Sequence, residues 1–159
     1  EHAHRIGLLR EQPERLRQGG KLGIVPFSAG EGISASDEAD RLALMIVKGI
    51  ADTLPEFKSR LTVVFDEQAA EADLAIRGHI IRQKRSRVLR HWLWRENQKS
   101  LAVECRMLDV KTQEPVLSFT LSLASVDPDK KFEDLAYAVG QEIARHVLDQ
   151  VRELSRPQR

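Results

Sequence analysis

Hydrophobic residues recur along this chain with three different spacings. From Leu22 to Phe27 they run almost unbroken, as Leu22, Ile24, Val25 and Phe27 around Gly23 and Pro26. A short apolar run of this kind suits a strand covered on both faces, with Pro26 at its end, where a lost ladder donor costs little. From Leu42 onward the spacing is four: Leu42, Ile46, Ile50 and Leu54, flanked by Ala39, Ala43 and Val47. That is one apolar face of a helix about five turns long. Ser36 is placed to cap it, Asp37, Glu38 and Asp40 set negative charge at its positive end, and Pro55 closes it. Residues 61–65 read as a second short strand, and residues 66–72 as a polar turn or short helix.

Beyond Asp73 the spacing is two. Leu74, Ile76 and Ile80 open a strand whose pattern extends to Arg90. Leu101, Val103, Cys105 and Met107 alternate with Glu104 and Arg106, and Leu117, Phe119, Leu121 and Leu123 with Ser118, Thr120 and Ser122. Such alternation predicts antiparallel strands with one face on a core and one in water. Asp127-Pro128-Asp129 ends the pattern. A last helix, from about Lys131 to Leu154, carries Phe132, Leu135, Ala136, Val139, Ile143, Val147 and Val151 on one stripe. Arg145, His146, Asp149, Arg152 and Glu153 fall on its wet side.

The order is β-α-β-β-β-β-α. Two amphipathic helices must bury their stripes, and the sheet's apolar face is the available surface. The pattern predicts an α/β two-layer sandwich, a mostly antiparallel sheet with two long helices on one face and a polar face opposite. Residues 21–155 form this single domain and residues 156–159 a tail. Residues 1–20, arginine-rich and closed by Gly19-Gly20, read as a mobile or peripheral N-terminal arm or tether, helical around Glu14 to Arg17. A first residue of Glu1 rather than Met suggests a trimmed or mature segment.

Composition narrows the chemistry. The chain has 159 residues, one domain's worth, with 42% hydrophobic and 31% charged residues, which excludes a disordered polymer. Twenty-five basic against 24 acidic residues give a net charge of +1, so any anion binding must come from a local patch. Cys105 is the one cysteine, which excludes an intrachain disulfide and a zinc site built on several thiolates. Its place on an apolar parity predicts a buried small hydrophobe rather than a nucleophile. His79 and His91 stand in no metal-ligand spacing; His2-x-His4 does, but at the terminal arm. Asp66/Glu67 and Asp127/Asp129 fall in turns, where Asp is ordinary turn chemistry. The loop holding Gly30 and Gly32 lacks a phosphate-binding pattern, and no serine stands in G-x-S-x-G. No catalytic residues, no metal site and no cofactor are expected.

Three motifs carry a resemblance: Ile24-Val25-Pro26-Phe27, Ala72-Asp73-Leu74-Ala75-Ile76-Arg77-Gly78, and Leu108-Asp109-Val110-Lys111-Thr112-Gln113-Glu114-Pro115-Val116. In this order, between a long amphipathic helix and a C-terminal one, they resemble a group of bacterial envelope lipoproteins. The group includes the curli-secretion protein CsgG, the peptidoglycan-synthase activator LpoB and, most alike, the Pel exopolysaccharide lipoprotein PelC. The resemblance spans about Lys21 to Val151. Gln113 stands where the group usually has glycine, which suggests a different turn there.

The resemblance implies a non-catalytic domain, periplasmic and anchored to the inner leaflet of the outer membrane. Its task would be that of a scaffold or ring subunit, a homo-oligomer working with envelope export machinery on a secreted polymer, most of all an exopolysaccharide. The PelC-like reading rests on size: the chain lacks long barrel-forming insertions and a long Pro-rich linker. An auxiliary lipoprotein of a lipid transporter, or a synthase activator, shares the layout.

One stretch stands apart. From Arg77 to Lys99 there are eight basic residues and one acid, Glu96, with Trp92 and Trp94 among them. Two tryptophans at i and i+2 share a face if the chain is extended. They could fold back on the core, meet a membrane interface, or meet a protein or polyanion. Trp92 and Trp94, with Arg90, Arg95, Arg85 and Arg87, are expected to face outward as a membrane or partner contact, because charge fills both parities of the strand before them. A nucleic-acid-binding module using this hairpin is the alternative of another class. The near-neutral remainder of the chain and an envelope location disfavour it.

Overall fold

The computed structural model describes the backbone of residues 2–18, 20–30, 37–54, 61–64, 71–90 and 94–155. Its strands are β1 (His2–Arg10), β2 (Gly20–Ile24), β3 (Ser28–Ala29), β4 (Leu61–Val64), β5 (Leu74–Arg90), β6 (Trp94–Asp109) and β7 (Pro115–Ser125). Its helices are α1 (Pro13–Gln18), α2 (Asp37–Thr53) and α3 (Phe132–Ser155). The alternating segments pair antiparallel, as alternation requires, in the order β5, β6, β7. The two short apolar runs, β2 and β4, join in parallel beside β5, linked through α2. One seven-stranded sheet results, ordered β1-β7-β6-β5-β2-β4, with β3 alongside β5.

The two long helices lie over one face of this sheet, as the pattern predicts. Leu22, Ile76, Ile80, Val103, Met107, Phe119 and Leu121 from the strands meet Leu42, Ile46 and Ile50 of α2 and Val139, Ile143 and Val147 of α3 in one buried cluster. Cys105 belongs to it. Burial pushes its thiol far up in pKa, so it stays protonated and inert, as its parity implies. Ser36, Pro55 and residues 65–70 lie outside the described residues.

Two expectations are corrected. Residues 2–10 do not stand off as an arm: they pair along β7 as an edge strand, with His4 opposite Ser122 and Arg5 opposite Leu121. A bulge between Ile6 and Leu9 breaks the alternation that would have marked a strand. The following stretch is helical, as expected around Glu14 to Arg17. His146 is not on a wet face. It is 1% exposed and packs edge-to-face on Phe119, ring centroids 4.5 Å apart. The helix α3 packs on α2 as well as on β6 and β7, so its buried surface is wider than one stripe and takes in Ala144, Leu148 and Gln150.

The contact between α2 and α3 is backbone against backbone. A Cβ at Gly49 would overlap the Tyr137 carbonyl oxygen, and one at Gly140 the Ile46 carbonyl oxygen. Neither oxygen can move without disturbing its helix. Gly49→Ala and Gly140→Ala should therefore each destabilise the fold by about 1–3 kcal/mol or more, despite alanine's better helix propensity. Urea unfolding should show a lower midpoint with an unchanged slope.

Candidate binding groove and basic hairpin

The three motifs of the resemblance meet at one end of the sheet. Asp73 brackets the start of β2: its amide donates to the Lys21 carbonyl at 2.8 Å, and its Oδ2 accepts from the Lys21 amide at 2.9 Å. The Asp73 carbonyl then accepts from the Val110 amide at 3.0 Å, joining the second motif to the third. Gly20 makes the approach possible, with φ of +127° and no side chain to strike the Asp73 carboxylate. Further along, Phe27 is buried against Gly78, where any Cβ would enter its ring.

Asp109 ties this junction to α1. Arg15 Nε donates to Asp109 Oδ2 at 2.8 Å, and the amides of Lys111 and Thr112 donate to Oδ1 at 2.9 and 3.2 Å. The Arg15 guanidinium foremost, and then these amides, hold the carboxyl below the usual carboxylate range. The turn closes with the Gln113 amide on the Asp109 carbonyl at 2.8 Å. Gln113 has φ of +60°, so it adopts the left-handed conformation a glycine would take rather than forcing another turn.

On the face opposite the helices, the sheet carries an open groove of about 510 Å³. Its floor is polar because these residues alternate with buried ones: Arg77 and His79 on β5, Glu104 and Arg106 on β6. Val25, Pro26 and Ser28 form one wall, and Leu108, Gln113 and Pro115 the other end. The strand register sets Arg77 directly opposite Arg106, and His79 opposite Glu104. Glu104 lies 3.1 Å from Arg106 Nη2 through one oxygen and 3.7 Å from His79 Nε2 through the other. An adjoining hollow of about 310 Å³ continues from Glu104 and Arg106 toward Glu11, Ser118 and Thr120. Alternation alone places each residue on the wet face. It does not give the register that gathers them, which a bulge between Ile80 and Arg82 shifts.

The basic stretch forms the β5–β6 hairpin, and its base is pinned. The Arg85 guanidinium sits over the Phe132 ring at 5.2 Å, so Arg85 is engaged with the start of α3. Across from it, Lys99 Nζ donates to the Lys130 carbonyl. Arg90 is the backbone partner of Trp94, the first residue of β6, and Arg87 that of Asn97. Trp92 lies outside the described residues, as do the side chains of Arg87, Arg90, Trp94 and Arg95. Among the described residues, no three His, Cys, Asp or Glu side chains gather as a metal site, and no helix is long and apolar enough to cross a membrane.

No family model and no curated protein sequence matches the chain. Solved structures do. The PelC dodecamer from Paraburkholderia phytofirmans is 14% identical and aligns over 89% of this chain and 94% of its own, with a TM-score of 0.56. A Xanthomonas campestris protein assigned to the DUF330 family is 12% identical over 86% of this chain and 88% of its own, TM-score 0.59. A lipoprotein from Neisseria meningitidis is 13% identical over 79% and 98%, TM-score 0.50. At such identities the likeness is one of fold: the chain has the fold of the PelC-like group of lipoproteins.

Two outcomes follow from the Asp109 turn. Because the folded-state pKa of Asp109 is depressed, its ion pair adds stability above the ordinary aspartate range of about 4 and loses it as pH falls through the folded value. Asp109→Asn should lower the melting temperature at neutral pH, and the gap should close on acidification. Gln113→Gly should raise stability by about 0.5–1 kcal/mol, the left-handed strain relieved less the extra freedom of the unfolded glycine, measurable by thermal unfolding.

Proposed function

We propose that this chain is a non-catalytic, envelope-associated lipoprotein domain that assembles into a ring or scaffold for export of a secreted polymer, an exopolysaccharide above all. Its N-terminal end would be tethered to the inner leaflet of the outer membrane. The observation that carries the reading is a row across the sheet. His2 pairs with Ala124, Ala124 with Ser100, and Ser100 with Lys84. The first described residue is therefore level with the root of the basic hairpin, which runs six residues further to Arg90. A lipid tether leaving that end would bring Arg87, Arg90, Trp92, Trp94 and Arg95 toward the headgroups. Trp rings favour that level, and each Lys or Arg near an anionic surface adds about 1 kcal/mol. Arg85, held over Phe132, would brace the hairpin rather than touch the bilayer.

Oligomerisation is supported by the dodecameric state of the PelC neighbour and by the edge strands β1 and β4, each with one ladder unpaired among the described residues. Tethering raises effective concentration, so weak edge contacts would close into rings on a membrane more readily than in solution.

The test uses the chain tethered by its N-terminus to vesicles containing anionic lipid. Crosslinking should give species larger than dimers, and monomer alone would sink the ring. Free in solution, the chain should bind the same vesicles. The Trp92→Ala, Trp94→Ala double variant should lose that binding several-fold with its unfolding midpoint unchanged. A large loss of stability with binding intact would put the pair in the core.

A further inference from the structure

We propose that the groove on the helix-free face binds an anionic group, a carboxylate or a phosphate, between Arg77 and Arg106. The two arginines are direct cross-strand partners, and both are exposed. Like charges set opposite each other in a sheet repel, and an anion between them reverses that. The groove holds one carboxylate, Glu104, against two guanidinium groups and an imidazole. Glu104 is already shared between Arg106 and His79. Arg77 has no carboxylate partner among the described residues. Glu11 belongs to the adjoining hollow, where its Oε1 accepts from Ser118 Oγ at 3.4 Å, and the exposed Glu114 accepts from Gln12 Nε2 at 3.4 Å. The positive end of the groove is therefore the Arg77 end.

The chemistry of the donors sets the ligand class. Guanidinium forks match the paired oxygens of a carboxylate or phosphate, and the charge-assisted bonds are stronger than neutral ones. Val25, Pro26, Leu108 and Pro115 line the walls with apolar surface, which displaces water and strengthens the attraction. A volume of about 510 Å³ accommodates one sugar acid or a small phosphate ester rather than a bare ion alone. The groove is built within one chain, so it depends neither on ring closure nor on membrane tethering.

Isothermal titration of the full chain at low salt compares galacturonate, glycerol 1-phosphate, inorganic phosphate and neutral galactose. The anions should bind and galactose should not. Stronger binding of galacturonate assigns a sugar acid, stronger binding of glycerol phosphate a phosphate ester. Arg77→Gln and Arg106→Gln should each weaken binding about tenfold or more, while Arg82→Gln, exposed on the same strand outside the groove, should not. Amide shifts in the unaltered protein should centre on Arg77, Gly78 and Arg106, a readout free of any folding defect. Wild-type affinity in both groove variants, equal loss in Arg82→Gln, equal galactose binding, or no anion binding would overturn the proposal.

Discussion

Two helices can cover one face of a sheet only if they pack closely on each other as well as on the strands. Here that closeness is set by Gly49 and Gly140, which let the backbones of α2 and α3 touch. The crossing fixes where Leu42, Ile46 and Ile50 stand relative to Val139, Ile143 and Val147, and hence which gaps Ile76, Val103 and Phe119 must fill from below. The tight helix pair also explains why α3 is buried over so wide an arc. His146 is sealed against Phe119 because the helix has neighbours on two sides. With the alternating apolar positions of the strands turned toward the helices, the opposite face of the sheet carries charged residues such as Arg77, Glu104 and Arg106.

The sheet is asymmetric along its strands as well as across its faces. At one end the backbone is cross-braced: Lys21, Asp73, Asp109, Val110 and Arg15 exchange hydrogen bonds between β2, the start of β5, the β6–β7 turn and α1. At the other end β5 and β6 run on together as a two-stranded ribbon, held to the domain at its base by Arg85 and Lys99. The groove lies toward the braced end, where Gln113 and Pro115 form its rim. Bracing and reach are thus separated: a hydrogen-bonded junction beside the groove at one end, an extended basic ribbon at the other.

Much of this was legible in one dimension because period reports burial. Leu42, Ile46 and Ile50, or Leu101, Val103 and Cys105, declare their faces without reference to any other part of the chain. What escaped needed two segments at once. A glycine inside a helix reads only as a mild loss of propensity, and nothing local says that Gly49 meets Gly140 across 90 intervening residues. The strand β1 was hidden by its own bulge. Glu104 and Arg106 fell on the polar parity of their strand, but their convergence with Arg77 and His79 depends on the register of a long hairpin. Asp73 and Gly78 are tied to Lys21 and Phe27 by contact, across stretches of chain that no local pattern connects.

Cys105 offers a practical consequence. It is the sole thiol of the chain, and burial holds it protonated and out of reach of reagents. The native surface is therefore chemically silent toward maleimides and methanethiosulfonates. A single cysteine placed anywhere on the exterior becomes the one address for a spin label or fluorophore, with no background to subtract and no native residue to remove. Distances between labels on neighbouring copies, or from a label to a quencher in the bilayer, become measurable on a chain whose core is untouched.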